Sequence, residues 1–133
     1  MAPELCAETD YNEKVDVWSA GVIAYILITG KPPFIGKSKD QIYDKIMHAE
    51  PDWNDFTLQN CSKDATSFIK SCLVKNPEKR PSVQELLESQ WFKITESANS
   101  IDREKILNIS ANLASFRKTN AFQTGVLSFI TNI

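Results

Sequence analysis

The most apolar segment of the chain reads Val15-Asp-Val-Trp-Ser-Ala-Gly-Val-Ile-Ala-Tyr-Ile-Leu-Ile28. Its apolar side chains fall on nearly every side of a helix, and Gly30 with Pro32-Pro33 would end that helix. A helix without a polar face has to be surrounded by protein. The segment is shorter than the ~20 apolar residues of a bilayer span and contains Asp16. It therefore predicts a buried helix over residues 16–29, capped or opened by Asp16, and no membrane span.

Three further helices are predicted around this segment. Residues 1–14 are expected to form a loop, and a second helix is expected over about 40–49. A third helix begins near Ser62 and carries the i, i+3, i+4, i+7, i+8 apolar stripe of a surface helix. A fourth opens with the capping box Ser82-Val-Gln-Glu85. Its inward face is expected to comprise Val83, Leu86, Leu87, Trp91 and Phe92. No segment alternates with period two, so the fold class is predicted to be all-α.

The composition is that of a soluble globular protein. The chain has 133 residues, of which 42% are hydrophobic and 24% charged, with a formal net charge of −2. These values exclude general disorder and a basic field for binding nucleic acid. The charge is uneven: residues 103–133 hold four Lys/Arg and one Asp/Glu, a net of +3, which leaves −5 for residues 1–102. The length suits one domain, or a small domain with an appendage.

The cysteines and the single histidine point to no disulfide framework and no metal site. Cys6, Cys61 and Cys72 form no CxxC pair, so we expect reduced thiols in a cytoplasmic protein. His48 has no cysteines at the spacing of zinc ligands. The residues after Met1 have neither a basic start nor an apolar stretch, so no signal peptide is predicted.

Five short motifs occur in the order and spacing of one family. Met1-Ala-Pro-Glu-Leu5 resembles the Ala-Pro-Glu motif that closes the activation segment of protein kinases. Asp16-Val-Trp-Ser-Ala-Gly21 is similar to the Asp-x-Trp-x-x-Gly helix that follows it, and Gly30-Lys-Pro-Pro-Phe34 to the next turn. Asn76-Pro-Glu-Lys-Arg-Pro81 resembles the Arg-containing loop, and Trp91-Phe92 the closing aromatic pair. By this resemblance, residues 1–93 are identified as a truncated large (C-terminal) lobe of a Ser/Thr protein kinase.

The resemblance implies a role for each matched residue. In the family, the positions of Glu4 and Arg80 form a bidentate ion pair that ties the activation segment to the lobe; the alternative is two unrelated surface charges. The position of Asp16 accepts hydrogen bonds from the catalytic loop, and the alternative is a helix N-cap. Trp18 is expected to fill the core rather than to stack on a ligand. The structural motif residues are Ala2, Pro3, Glu4, Asp16, Trp18, Gly21 and Arg80.

The parts that perform phosphoryl transfer are missing from the sequence. The four glycines, Gly21, Gly30, Gly36 and Gly125, cannot form the glycine-rich loop over the phosphates of ATP. His48 is followed by Ala-Glu rather than Arg-Asp, and Asp55-Phe-Thr57 lies after Ala-Pro-Glu instead of before it, so we expect a loop there. The resemblance places the ATP and Mg²⁺ ligands, with the N-lobe and catalytic loop, upstream of Met1. The chain alone has no catalytic residue and is expected to be inactive; its parent would act on Ser/Thr of protein substrates.

The end of the chain resembles a regulatory segment. Ile26 stands where kinases of the cyclic-nucleotide-dependent group have Glu, which favours the calcium/calmodulin-dependent group, although Ser89-Gln90 departs from its usual His-Pro. Residues 111–130 resemble the autoinhibitory junction of calcium-dependent protein kinases, which is followed by a calmodulin-like domain. We expect a linker over 94–104 and a junction-like helical segment over 105–133. Its anchors and basic residues are Phe116, Arg117, Lys118, Phe122, Val126, Phe129 and Ile130.

Two interpretations of the whole chain remain open at this point. The first is a piece of a calcium-dependent Ser/Thr kinase, in which calcium acts through a downstream calmodulin-like domain or calmodulin and is not bound by this chain. The alternative is a non-catalytic kinase lobe that serves as an interaction module with a calmodulin-binding tail. For residues 105–133, a final helix packed on the lobe without regulatory role is the simpler alternative. A helical bundle of unrelated origin is disfavoured by the matching positions of Glu4 and Arg80.

Overall fold

The computed structural model describes the backbone of residues 1–97 and 103–118, and the side chains of residues 1–93 and 106–114. The described residues form helices and no strand, as the all-α prediction requires. The helices are α1 (Pro3–Cys6), α2 (Lys14–Thr29), α3 (Lys39–His48), α4 (Phe56–Gln59), α5 (Lys63–Cys72), α6 (Val83–Leu87), α7 (Gln90–Ser97) and α8 (Arg103–Lys118). Helix α2 lies at the centre, where α4, α5 and α8 contact it.

The central helix starts earlier than predicted and is buried on one side only. It begins at Lys14, after an N-cap residue whose side chain makes no capping hydrogen bond. Asp16 is exposed and lies in the first turn, three positions after the N-cap residue Glu13, so of its two predicted roles, capping or opening the helix, the cap was wrong. Ile23 is 58% exposed, and the complete cover expected from the apolar composition is not present among the described residues. The buried positions are Val17, Trp18, Gly21, Tyr25 and Thr29.

Two short helices occur where loops were expected. Helix α1 forms because Pro3 occupies the first turn, where its missing N–H costs nothing, and its carbonyl accepts from Ala7 N at 2.9 Å. Helix α4 starts because Asp55 Oδ1 accepts a hydrogen bond from Thr57 N at 2.9 Å. The loop prediction for Asp55-Phe-Thr57 was therefore wrong. Each helix has only four residues, too few for a periodic apolar stripe.

The serine caps are where the sequence placed them. Ser62 accepts from Ala65 N at 3.2 Å, and Ser82 and Glu85 form a complete capping box. The helix behind that box is shorter than predicted, because the chain turns after Glu88 and Trp91 and Phe92 belong to a separate helix. Of α6, only Leu86 is buried. The inward face predicted for this helix was wrong at Val83 and Leu87, which are 46% and 57% exposed.

The aromatic pair of α7 packs on α5. The Phe68 ring lies 4.5 Å from the Trp91 ring and 5.5 Å from the Phe92 ring, between ring centroids. Helix α7 continues to Ser97 and α8 begins at Arg103, so helices occupy both ends of the range 94–104 that was predicted to be a linker. The division of the chain into a lobe and a regulatory segment stays a prediction.

Gly21 lets α2 and α5 approach closely. A Cβ atom added at Gly21 would lie 2.5 Å from the Cβ of Cys72 and 3.1 Å from Leu73 Cδ2. No rotamer change moves a Cβ atom, so the two helices would have to separate. We expect Gly21→Ala to lower the free energy of unfolding by about 1–3 kcal/mol, despite the higher helix propensity of alanine. Urea unfolding measures this, with Ser19→Ala on the exposed side of α2 as the control; equal stability of the two variants would contradict the close approach.

Candidate functional site

A buried ion pair joins the two ends of the lobe. Arg80 Nη1 donates to Glu4 Oε1 at 2.7 Å, and Arg80 Nη2 donates to Glu4 Oε2 at 3.0 Å. The two residues are 1% and 5% exposed. Glu4 lies in α1 and Arg80 in the loop before α6, 76 positions apart in the sequence. The bidentate geometry holds a planar guanidinium against a carboxylate and fixes their relative orientation.

Every N–H of the Arg80 guanidinium has a partner. Besides the two bonds to Glu4, Nε donates to Val74 O at 2.8 Å, Nη1 to Lys14 O at 2.9 Å and Nη2 to Lys75 O at 3.2 Å. A guanidinium carries five N–H donors, so the set is complete. Arg80 therefore connects α1, the start of α2 and the end of the segment after α5 through a single side chain.

Four side chains stack in a row beside this ion pair. The Arg80 Cζ atom lies 5.1 Å from the centroid of the Trp18 ring, and Trp18 stacks on Phe34 with centroids 5.9 Å apart and planes inclined by 3°. The Lys75 Nζ atom lies 4.9 Å from the centroid of the Phe34 ring. Cations over aromatic rings gain about 0.5–2 kcal/mol each, the larger value when they are desolvated. The row links the ion pair to the loop after α2.

Lys75 also closes the end of α3. Its ammonium donates to Ile46 O at 2.6 Å and to Lys45 O at 3.4 Å. A positive charge at a helix C-terminus is favourable because the last carbonyls carry partial negative charge. Burial lowers the pKa of Lys75, and Glu50 partly opposes this. Lys75 was not among the predicted site residues, because its partners are distant in the sequence and no local pattern marks them.

The ion pair keeps Glu4 ionised. Burial alone would raise the pKa of Glu4, but the hydrogen bond from Arg80, a backbone hydrogen bond and the Arg80 charge outweigh it and lower the pKa below its ordinary value of 4.5. A carboxyl group whose pKa is lowered by folding stabilises the fold above its unfolded pKa. That contribution is lost as the pH falls through the lowered, folded value.

The sequence of the chain matches that of a known family. A sequence profile described as the protein kinase domain matches residues 1–92. The chain belongs to the protein kinase family. Myosin light chain kinase A of Dictyostelium discoideum is 39% identical over 106 residues, which cover 80% of this chain and 36% of that protein. Calcium-dependent protein kinase 2 of Zea mays is 31% identical over 132 residues, 99% of this chain and 25% of that protein.

The fold also matches a solved kinase. The twitchin kinase region from C. elegans has a TM-score of 0.65 and 30% identity, over 68% of this chain and 16% of that one. The helical architecture described above is therefore part of the large lobe of the protein kinase fold. The chain spans about a quarter to a third of the length of the kinases to which it is similar.

All the predicted kinase motif residues except Asp16 are buried. Ala2, Pro3, Glu4 and Arg80 are buried, and Arg80 contacts both Glu4 and Trp18. Gly21 is buried in α2, one turn after Trp18. Asp16 is exposed, and its proposed contact with a catalytic loop involves residues that are not in this chain.

The side chains of all the predicted regulatory anchors lie outside the part of the chain whose side chains the structure describes. The side chains of Phe116, Arg117 and Lys118 in α8 lie outside the described residues. The remaining anchors, Phe122, Val126, Phe129 and Ile130, also lie outside them.

An open cavity of about 300 Å³ lies beside the loop after α2. The Tyr25 hydroxyl, which lines it, donates to Asp52 O at 3.1 Å, and burial with the nearby Asp55 and Asp52 charges raises the pKa of Tyr25 to about 12. Lys31 Nζ pairs with Asp55 Oδ2 at 3.3 Å at its rim. With a pKa of about 12, the Tyr25 hydroxyl stays protonated at neutral pH.

No metal site or membrane helix was found in the part of the chain that the structure describes. Within residues 1–93 and 106–114, whose side chains are described, no three His, Cys, Asp or Glu side chains are grouped so that they could hold a metal ion. No helix in the described part of the chain is both long and apolar enough to cross a bilayer. Burial raises the pKa of the Cys72 thiol to about 11, which makes it unreactive as a nucleophile.

Proposed function

We propose that this chain is the closing part of the large lobe of a Ser/Thr protein kinase that transfers the γ-phosphoryl group of ATP to hydroxyl groups of protein substrates. The observation that carries the proposal is the buried bidentate pair between Glu4 and Arg80, which holds the Ala-Pro-Glu segment on the loop before α6. The kinase relatives and the order of the motifs support it.

The role of the chain is positional. The end of an activation segment has to be held in place so that a peptide substrate finds a fixed surface beside the transferring phosphate. Arg80 holds Glu4, and the stacked row of Trp18, Phe34 and Lys75 holds Arg80 from the other side. In this proposal, loosening the row displaces the substrate platform without touching the phosphate.

The residues present do not fit ATP or Mg²⁺. The sequence has no glycine-rich phosphate loop, and the described residues have no acidic cluster for a metal. In the proposed whole protein these ligands come from outside the chain. No step of the transfer is assigned to a residue here, and the chain alone is expected to be inactive.

A transfer assay on the whole protein tests the proposal. Radiolabelled ATP and a mixture of Ser-, Thr- and Tyr-containing peptides are expected to give labelled phosphoserine or phosphothreonine, whereas residues 1–133 alone give none. A whole protein that is folded, binds no ATP and labels no peptide would contradict the kinase proposal and favour the interaction module.

We further propose that residues 105–133 place this kinase under calcium control. Two calcium-dependent protein kinases, from Zea mays and Oryza sativa, match 132 and 130 residues and so include the tail. The segment has bulky apolar residues at helical spacing, and residues 103–133 carry a net charge of +3. Such helices bind in the apolar, acidic grooves of calmodulin-like domains.

A peptide of residues 105–133 is expected to bind Ca²⁺-loaded calmodulin at micromolar concentration or better. Phe116→Ala should weaken binding by about 1–3 kcal/mol, because a buried aromatic anchor is lost. Leu107→Ala, an apolar truncation off the stripe formed by Ile106, Ile109, Leu113 and Phe116, is the matched control. Calorimetry without measurable heat, or equal losses in the two variants, would contradict the regulatory proposal.

A further inference from the structure

One side chain fastens α8 to the central helix. The Asn112 amide donates from Nδ2 to Leu27 O at 3.0 Å and to Ile28 O at 2.8 Å. All three residues are half-buried. Leu27 and Ile28 lie at the end of α2, and Asn112 lies in α8, more than 80 positions away in the sequence. An amide NH₂ group has two hydrogens, and here each has an acceptor.

The two carbonyls need an outside donor because of the residues that follow α2. In a continuing helix, the N–H groups of residues 31 and 32 would bond to the carbonyls of Leu27 and Ile28. Lys31 N donates instead to Thr29 Oγ1 at 3.2 Å, and Pro32 has no N–H. The local chain therefore leaves both acceptors open, and the amide of Asn112 satisfies them.

Gly30 ends α2 beside this contact. It ends α2 in the left-handed conformation with φ at +72°, which is readily adopted by glycine. A Cβ atom added there would lie 3.4 Å from Asn112 Oδ1. This is an ordinary van der Waals distance, so glycine is favoured here by the left-handed conformation of the backbone and not by lack of space.

The same side of α8 carries the apolar stripe. Ile106, Ile109 and Leu113 are 40–46% exposed, whereas Leu107, off the stripe, is 69% exposed. Asn112 follows Ile109 by three positions, so the two share a face. Asn112 therefore lies on the apolar face of α8. A groove that binds this face has to cover Asn112 as well, and Asn112 is bonded to α2.

We infer that Asn112 is a latch: its amide holds α8 on the C-terminal end of α2, and a calmodulin-like partner has to open this latch before it can bind the segment. The claim that Asn112 holds α8 on α2 is based on the hydrogen bonds alone. The claim that a calmodulin-like partner has to open this contact rests on the proposed calcium control. Asn112→Asp places a carboxylate against two carbonyl oxygens and the negative end of the α2 dipole, so it opens the latch more strongly than Asn112→Ala.

Hydrogen exchange of the protein tests the latch. The amides of α8 are expected to exchange about tenfold faster in Asn112→Asp, as the loss of two hydrogen bonds and the added repulsion imply, while the amides of α5 keep their rates. Ser110→Asp adds the same charge at an exposed position two residues away, on a different face of α8. Unchanged exchange in Asn112→Asp, or equal acceleration in Ser110→Asp, would overturn the latch.

The affinity for Ca²⁺-loaded calmodulin tests the claim that the latch opposes binding of a calmodulin-like partner. In the peptide 105–133, Asn112→Asp should weaken binding more than Ser110→Asp, because residue 112 lies on the bound face. In the protein, opening the latch offsets this loss, so the affinity of Asn112→Asp relative to Ser110→Asp should be several-fold higher in the protein than in the peptide. The same affinity ratio of the two variants in the protein and in the peptide would overturn the claim that the latch opposes binding. A peptide that does not bind at all would refute calcium control, and the exchange result would still decide whether Asn112 holds α8.

Discussion

Replacing Arg80 with lysine is expected to lower the free energy of unfolding by about 3–5 kcal/mol, although the charge is kept. Lysine has three donors on one nitrogen and cannot reach both Glu4 oxygens and the carbonyls of Val74, Lys14 and Lys75. Glu4 would stay buried with an incomplete set of donors. In the proposed whole kinase, the same change is expected to lower phosphoryl transfer because the activation segment loses its attachment.

Denaturant unfolding at several pH values measures this effect. At pH 7 the exposed neighbour variant Lys79→Arg should be within about 0.5 kcal/mol of the unchanged protein. The difference between Arg80→Lys and the unchanged protein should shrink as the pH falls from 4.5, the ordinary pKa of Glu4, through the lowered pKa of the folded protein, because Glu4 is then protonated and the favourable pairing is lost. A variant with unchanged stability and unchanged pH dependence would show that the pair does not hold the lobe together.

Replacing Trp18 with alanine is expected to cost about 3–5 kcal/mol of stability. Trp18 is 1% exposed and is the largest fully buried side chain among the described residues. Its loss leaves a cavity between Arg80 and Phe34 and removes both ring contacts of the stacked row. Trp18→Phe keeps an aromatic face for the guanidinium and should lose clearly less than Trp18→Ala.

Trp53→Ala is the matched control for this prediction. Trp53 is half-buried, and its ring meets Tyr25 edge-on at 6.1 Å and lies 5.4 Å from Lys70 Nζ, so it also has one aromatic and one cationic partner. Thermal unfolding followed by circular dichroism should show a larger loss for Trp18→Ala than for Trp53→Ala. Equal losses would contradict a special role for the stacked row.

Local signals predicted the helices with strong caps and long apolar stripes. Ser62 and the box of Ser82 and Glu85 mark their helices because a cap acts within three residues. The four-residue helices at Pro3 and Phe56 escaped prediction, since neither is long enough to show periodicity. The separation of α6 from α7 escaped it as well, because Ser89 N donates to Leu86 O at 3.0 Å in a turn that no Gly or Pro announces.

The candidate site also contains residues that could be predicted from the sequence and residues that could not. The resemblance suggested the pairing of Glu4 with Arg80 across 76 positions, and the structure brings their side chains together. It could not suggest the roles of Lys75 and Asn112, because both act on backbone carbonyls far away in the sequence. Any donor of the right length can fill such a position, so a sequence pattern carries no mark of it.

A double-mutant cycle on Glu4 and Arg80 tests the central claim most directly. Glu4→Gln, Arg80→Met and the double variant are unfolded in urea at pH 7, and the coupling energy is taken from the four free energies. We predict a favourable coupling of at least about 2 kcal/mol, because each single change leaves a buried charge unpaired and the double change does not. Free energies that add within about 0.5 kcal/mol would contradict an ion pair that closes the lobe.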